Sequence, residues 1–400
     1  MRIRAKHMEA AISIFLLSVI LSMCPTRAIL DPQDFLALQS IRKSLSDLPG
    51  SNFFSRWDFT SDPCGFPGVI CFSDRIIALA LGDPRAGSPG LVGNVDFAIG
   101  QLTALSELSL VPGRVTGGIP DSLCRCSSLR FLGLSGNFFS GPIPPSLASL
   151  TELRTIDLSY NLLSGSIPPS ISDLPVLSNL VLSHNLLSGD VPDFPSSSPL
   201  LHLDLKHNNL SGKLPALPSS IRYLSAARNQ ISGQINDILP SLRNLAYIDI
   251  SMNRLTGPIP PSVFSLPLSS LQLQRNELEG AVSPTVDVRI PEVDLSYNRL
   301  SGEVSPLLAA VGRLYLNNNR FTGEVPARFA ETLETSEMQV LFLQHNFLIG
   351  MEISPAATIP VTTSLCLQYN CMVPPVDSAC PLKAGPEKTR PAEQCPSWRG

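Results

Sequence analysis

The sequence predicts an α/β repeat solenoid: a right-handed superhelix with a concave parallel β-sheet and disulfide-bonded caps. Three observations predict it. A phrase of the form LxxLxLxxNxLxGxIP, clearest from Leu153 to Pro168, recurs between Leu105 and Asn370. Its asparagine returns at Asn137, Asn161, Asn185, Asn208, Asn229, Asn253, Asn276, Asn298, Asn319, Asn346 and Asn370, with gaps of 21 to 27 residues. The phrase is absent from Ile29 to Ile76, and cysteines gather at both of its ends. A period of this length means that each turn of chain buries its apolar face only by stacking on its neighbours.

Each letter has a physical reason. In Leu132-Gly133-Leu134 and Ile156-Asp157-Leu158, apolar and other residues alternate as in a short strand, leucines inward and the residues between them outward. Stacked strands form one parallel sheet on the inside of a curved coil. The recurring Asn stands where the chain leaves the strand, and its amide supplies two donors and an acceptor to backbone that has no ladder partner. Gly141, Gly165, Gly189 and their counterparts follow four residues later, where a turn benefits from a residue without a side chain. Ile143-Pro144, Ile167-Pro168 and Ile259-Pro260 read as short extended segments that donate few ladder bonds. Leucines at fixed offsets in a period in the twenties are the signature of a leucine-rich-repeat solenoid.

The GxIP ending resembles the plant-specific class of leucine-rich repeats in secreted plant proteins and in the ectodomains of receptor-like proteins and receptor kinases. Pro is missing at Asn236, Ser283 and Ser305, and the ladder Asn at Gly113, which predicts local irregularity within the same fold. The resemblance covers nearly the whole chain after its leader.

The expected organisation has four parts. Residues 1–28 read as a secretory signal: Arg2, Arg4 and Lys6 precede the apolar run Ala10 to Met23, and Ala28 offers a small residue for cleavage. Residues 29–76 form an N-terminal cap. Asp31-Pro32 starts a helix, with Phe35, Leu36, Leu38, Ile41, Leu45 and Leu48 on its apolar face. Trp57 and the segment Cys64 to Cys71 are similar to the plant N-terminal cap, with Phe66 where that family commonly has tryptophan, and in an exported chain Cys64 and Cys71 read as a disulfide. Residues 77–370 hold about 12 to 13 repeats. Residues 371–400 are a cysteine- and proline-containing cap and tail; Cys366, Cys371, Cys380 and Cys395 close it by one of three connectivities. Cys124 and Cys126 are too close for an easy bridge, and at least one reads as a buried thiol of the convex side.

Composition limits the function. The 400 residues hold 29 Lys and Arg against 33 Asp and Glu; loss of Arg2, Arg4, Lys6, Arg27 and Glu9 with the leader leaves a formal charge of −7. That is not the basic footprint of a nucleic-acid binder. The expected mature chain has no membrane span, and no kinase loop or HRD segment occurs. No constellation of nucleophile, base and orienter appears, so no enzyme, cofactor or metal is expected. The sequon Asn209-Leu210-Ser211 marks Asn209 as an expected glycan acceptor, and the chain is expected in the extracellular space or cell wall.

Twelve strands about 4.8 Å apart give an inner surface on the order of 50 Å long, suited to a protein, peptide or polysaccharide. The residues preceding each ladder Asn make one row of candidate ligand contacts: Tyr160, His184, His207, Arg228, Arg275 and Tyr297. Asp204 and Asp249 belong to a second row at the strand centres. Aromatic and arginine side chains offer large contact area and planar hydrogen bonding, although Asp before Leu-Ser and Tyr or His before Asn are also common fillings of this repeat. The resemblance implies a recognition protein of development or defence, acting with a membrane receptor kinase. The alternative is an inhibitor of a secreted wall-degrading enzyme such as polygalacturonase.

Overall fold

Strands form where the phrase alternates, and they are short because each turn contributes only one LxL step. The computed structural model describes residues 30–85, 89–236, 239–354, 358–375, 380 and 389–395. The expected leader, 1–28, lies outside the described residues. Fourteen strands make one sheet, from Val69–Phe72 and Arg75–Leu81, which pair antiparallel, through Glu107–Leu110 and Phe131–Gly133 to Ser364–Cys366, all added in parallel. Equivalent phrase positions lie side by side: Leu180 is level with Ile156, and Leu203 with Leu180. These inward residues are fully buried in one continuous core.

The expectation of a single sheet needs correction. The NxLxG segments also extend and pair, giving a seven-stranded sheet from Leu45–Asp47 to Asn209–Ser211 and shorter ones beyond it. One inward apolar residue per segment, such as Leu163 or Leu187, drives this pairing, as the leucines drive the first. The glycines lie at or next to the ends of these strands with positive φ, 77° at Gly165 and 78° at Gly189. The proline after the apolar residue leads into a 3-10 turn: Pro144 caps Pro145–Ser149, Pro168 caps Pro169–Ile171 and Pro260 caps Pro261–Ser265. Proline suits a first turn, whose N–H has no acceptor in any case. The 27-residue gap between Asn319 and Asn346 is absorbed by a full α-helix, Ala327–Glu334, in place of the 3-10 turn.

The N-terminal helix runs Pro32–Ser44, capped by the Asp31 carboxylate, which accepts from Gln33 and Asp34 N–H. It is shorter than the apolar spacing implied. Leu45 belongs to a strand, Leu48 lies beyond it, and Leu36 is 57% exposed. The inward position is taken by Asp34, fully buried, whose carboxylate accepts from Arg75 Nε at 3.0 Å, Arg75 Nη2 at 2.9 Å and the Ile76 N–H at 2.8 Å. Trp57 packs among Phe53, Phe54, Phe59 and Phe66 and donates to the Pro67 carbonyl. Cys64 is bonded to Cys71, Cys366 to Cys380 and Cys371 to Cys395; Cys124 is half-buried and Cys126 buried, both free. Burial pushes the Cys126 thiol up to about 12. At the far end Arg390 donates to the Asn346 carbonyl and lies over the rings of Phe347 and Tyr369, closing the last turns.

Candidate ligand-binding trough

The site rests on the asparagine ladder. Asn161 Nδ2 donates to the carbonyls of Leu134 in the preceding repeat and of Leu158 in its own, and its Oδ1 accepts from Phe139 N–H. Asn137, Asn185, Asn208, Asn229, Asn253, Asn276, Asn298, Asn319, Asn346 and Asn370 repeat the pattern of tying one turn to the previous one. Nine of these eleven are buried; Asn229 and Asn298 are half-buried.

The residue before each ladder Asn is forced into the left-handed region. Tyr160, His184, His207, Arg228, Met252, Arg275, Tyr297, Asn318, His345 and Tyr369 all have φ between 52° and 59°, and Gly136 takes the same place in the first such repeat. The row is thus set by backbone geometry as well as by side-chain type. Its rings meet: Tyr160 stacks on His184 and His184 on His207, each with centroids 4.1 Å apart. Arg228, exposed, follows on the next repeat, and Arg275 lies 4.3 Å over the Tyr297 ring.

A second column, not foreseen from the sequence, stands at the other end of the strands. His202 stacks on Tyr223 at 4.1 Å and Tyr223 on Tyr247 at 4.6 Å. Its signal was present in the residue just before the central Leu203, Leu224 and Ile248, where three consecutive repeats carry rings in register. The two columns are offset along the sheet and share only the repeat of His202 and His207; between the edges they mark lies a trough floored by the strand-end residues, among them Asp204 and Asp249. Asp204 accepts from Lys206 N–H and lies 3.5 Å from Lys206 Nζ. Asp249 accepts from both the N–H and the hydroxyl of Ser251.

Burial holds His184 and His207 below the usual imidazole range. Lys206 and Arg228 push both the same way, His184 further depresses His207, and Asp204 opposes. Burial likewise lowers His202 against Asp204, and burial with Asp249 raises the Tyr247 phenol to about 12. These three imidazoles and this phenol are therefore uncharged near neutrality. Among the described residues no group of three or more His, Cys, Asp or Glu is placed to hold a metal ion. No described helix is long and apolar enough to cross a membrane. Asn209 is exposed at the start of a strand on the outer flank.

Residues 31–72 match the leucine rich repeat N-terminal domain, and residues 128–150, 152–174, 199–221 and 244–266 match the Leucine Rich Repeat. The chain is a leucine-rich-repeat protein. Among Arabidopsis thaliana proteins, this leucine-rich-repeat chain is 33% identical to Receptor-like protein 32 over 136 residues, 33% of its own length and 15% of that relative. It is 31% identical to Receptor-like protein 7 over 135 residues, 33% of this chain and 13% of the other. The chain thus spans a small part of the curated relatives it matches. Among solved structures, PEPR1-AtPEP1 aligns with TM-score 0.68 and 27% identity over 85% of this chain and 52% of that one. The plant peptide hormone receptor RGFR1 in complex with RGF2 aligns with TM-score 0.62 and 27% identity over 73% and 52%.

Proposed function

We propose that this chain is an extracellular recognition protein that binds a peptide, protein or cell-wall ligand in the trough and serves as a receptor-like or co-receptor component beside a membrane receptor kinase. The observation that carries this reading is the left-handed row. A non-glycine residue there costs about 1–2 kcal/mol, and most of these positions hold Tyr, His, Arg or Met, where Gly136 shows that glycine fits. Large side chains kept against a backbone cost point to a surface role. RGFR1, with the same coil, is a peptide hormone receptor. Three disulfides accord with an oxidising compartment, and exposed Asn209 is the proposed glycan acceptor.

The test is affinity capture from plant wall and plasma-membrane extracts, with the wild-type chain and with Tyr160, His184, Arg228 and Arg275 changed to Asn. Asn tolerates the left-handed conformation, so the fold is retained. The variant is expected to lose the wild-type partners. Equal capture counts against the trough. Unchanged reducing-end release by a fungal polygalacturonase in the presence of the chain separates this reading from enzyme inhibition.

A further inference from the structure

The floor of the trough alternates by repeat. Asp157, Asp204, Asp249 and Asp294 occupy one row across the sheet, and each is separated from the next by a single strand that carries Val181, Ser225 or Gln272 there. With strands about 4.8 Å apart, carboxylates recur every 9.6 Å or so, and the four span roughly 29 Å. An Asp-x-Ser turn explains only part of three of these carboxylates; the fourth, Asp204, is followed by Leu205-Lys206 and is paired with Lys206 Nζ at 3.5 Å. Oδ1 of Asp157, Asp249 and Asp294 accepts from the N–H and hydroxyl of the serine two residues on. Their Oδ2 atoms make no hydrogen bond or ion pair with described residues.

A second observation marks the same row. Ser225, between Asp204 and Asp249, is 1% exposed, and its hydroxyl has no partner in bonding geometry, although it lies near the Tyr223 phenol. Buried polar atoms are nearly always paired, so an orphan on the floor of a trough points to a ligand group.

The spacing selects a conformation. A polyproline II helix has three residues per turn and rises about 3.1 Å per residue, so like faces recur near 9.3 Å. An extended β-strand repeats each face near 6.6 Å and falls out of step with the carboxylates after one interval. Aromatic-lined grooves are what polyproline II ligands dock into, and each strand from Asp157 to Asp249 has a ring at one edge of this floor, Tyr160, His184, His207, Tyr223 and Tyr247 in turn. Exposed Arg154, Arg222 and Arg228 stand along the edges, so cations on the ligand's other faces are disfavoured. We propose that the floor binds a proline-rich peptide in the polyproline II conformation with Lys or Arg at every third residue. The inference rests on the trough being the ligand site.

The probe is a blocked 12-residue peptide of four Pro-Pro-Lys triplets. Its control has the same composition with the four lysines contiguous. Calorimetric titration of the full chain at low salt is expected to show the triplet peptide binding at least about tenfold more tightly, since exposed pairs each contribute up to 1 kcal/mol or so. The D157N/D249N variant keeps the serine bonds through the amide oxygen. It is expected to lose about threefold per carboxylate with an unchanged thermal midpoint. Equal affinity for both peptides, or undiminished binding by the variant, overturns the proposal. If neither peptide binds while the four-Asn variant described above still loses its captured partners, the periodic ligand is rejected and the trough stands. If capture also is unaffected, both fail.

Discussion

At the residue scale, the ladder asparagines and the residues before them have opposite roles. Asn253 donates to Ala226, Ile250 and Ser251 carbonyls and accepts from Ile231 N–H. Asn253→Ala leaves those groups unpaired and is expected to cost about 1–3 kcal/mol, read as a lower urea midpoint. An unchanged midpoint would refute the ladder role. Gln344 presents the reverse case. Ser159, Ser251 and Ser296, at the same phrase position, bond the Asp two residues before. Where that residue is Phe342, Cys366 or Gln272, a glutamine stands instead, and the Oε1 atoms of Gln344, Gln368 and Gln274 are buried without partners. Gln344→Met removes an orphan carbonyl at similar volume, and a gain of about 1 kcal/mol is expected by the same urea titration. The ladder was legible because an amide recurring at a strand exit has few other uses. The left-handed row was legible as a row but not as a conformation, because Tyr, Arg and Met carry no local sign of positive φ.

At the element scale, the caps were less readable than the coil. The repeats announce themselves by recurrence, whereas each cap occurs once and its side chains answer to one another. Apolar spacing placed Leu36 on the inner face of the first helix, but Asp34 holds that face because Arg75 and the Ile76 N–H, some forty residues away, satisfy it. Nothing near Asp34 in the sequence signals this. Breaking a buried pair by removing one partner costs about 3–5 kcal/mol. Arg75→Ala is therefore expected to unfold the N-terminal cap first, seen as early amide exchange in Pro32–Ser44 while the central strands stay protected. Uniform exchange along the chain would contradict it. The C-terminal pairing was undecidable among three connectivities because it depends on contacts far apart in the sequence; Arg390, anchored on Asn346 and two rings, holds the segment that carries Cys395 against the last turns. The second sheet is not legible in the sequence because a glycine four residues after each Asn signals a turn as readily as a strand end.

For the whole molecule, acidity is the natural variable. His184, His202, His207 and His345 are all held below the usual value of 6.5, with burial the largest cause in each. As pH falls below 6.5 the unfolded chain takes up protons that the folded chain resists, so the contribution to stability falls with pH. The thermal midpoint is expected to drop between pH 7 and pH 5, and replacing His184 and His207 with Gln to flatten that slope. Equal slopes would assign the effect elsewhere. The carboxylates lowered in the fold, Asp58 and Asp287, act only near or below 3.8, whereas Asp294, raised by burial, takes up its proton earlier in the folded chain and opposes the histidine slope.

The alternation of Asp157, Val181, Asp204, Ser225 and Asp249 also bears on how such a chain can change length. Excising the turn from Arg222 to Leu245 would leave a sound coil but set Asp204 directly beside Asp249, like charges on adjoining strands. Excising two turns would restore the phase. For the scaffold the heritable unit is one turn; for the surface it carries, the unit is a pair.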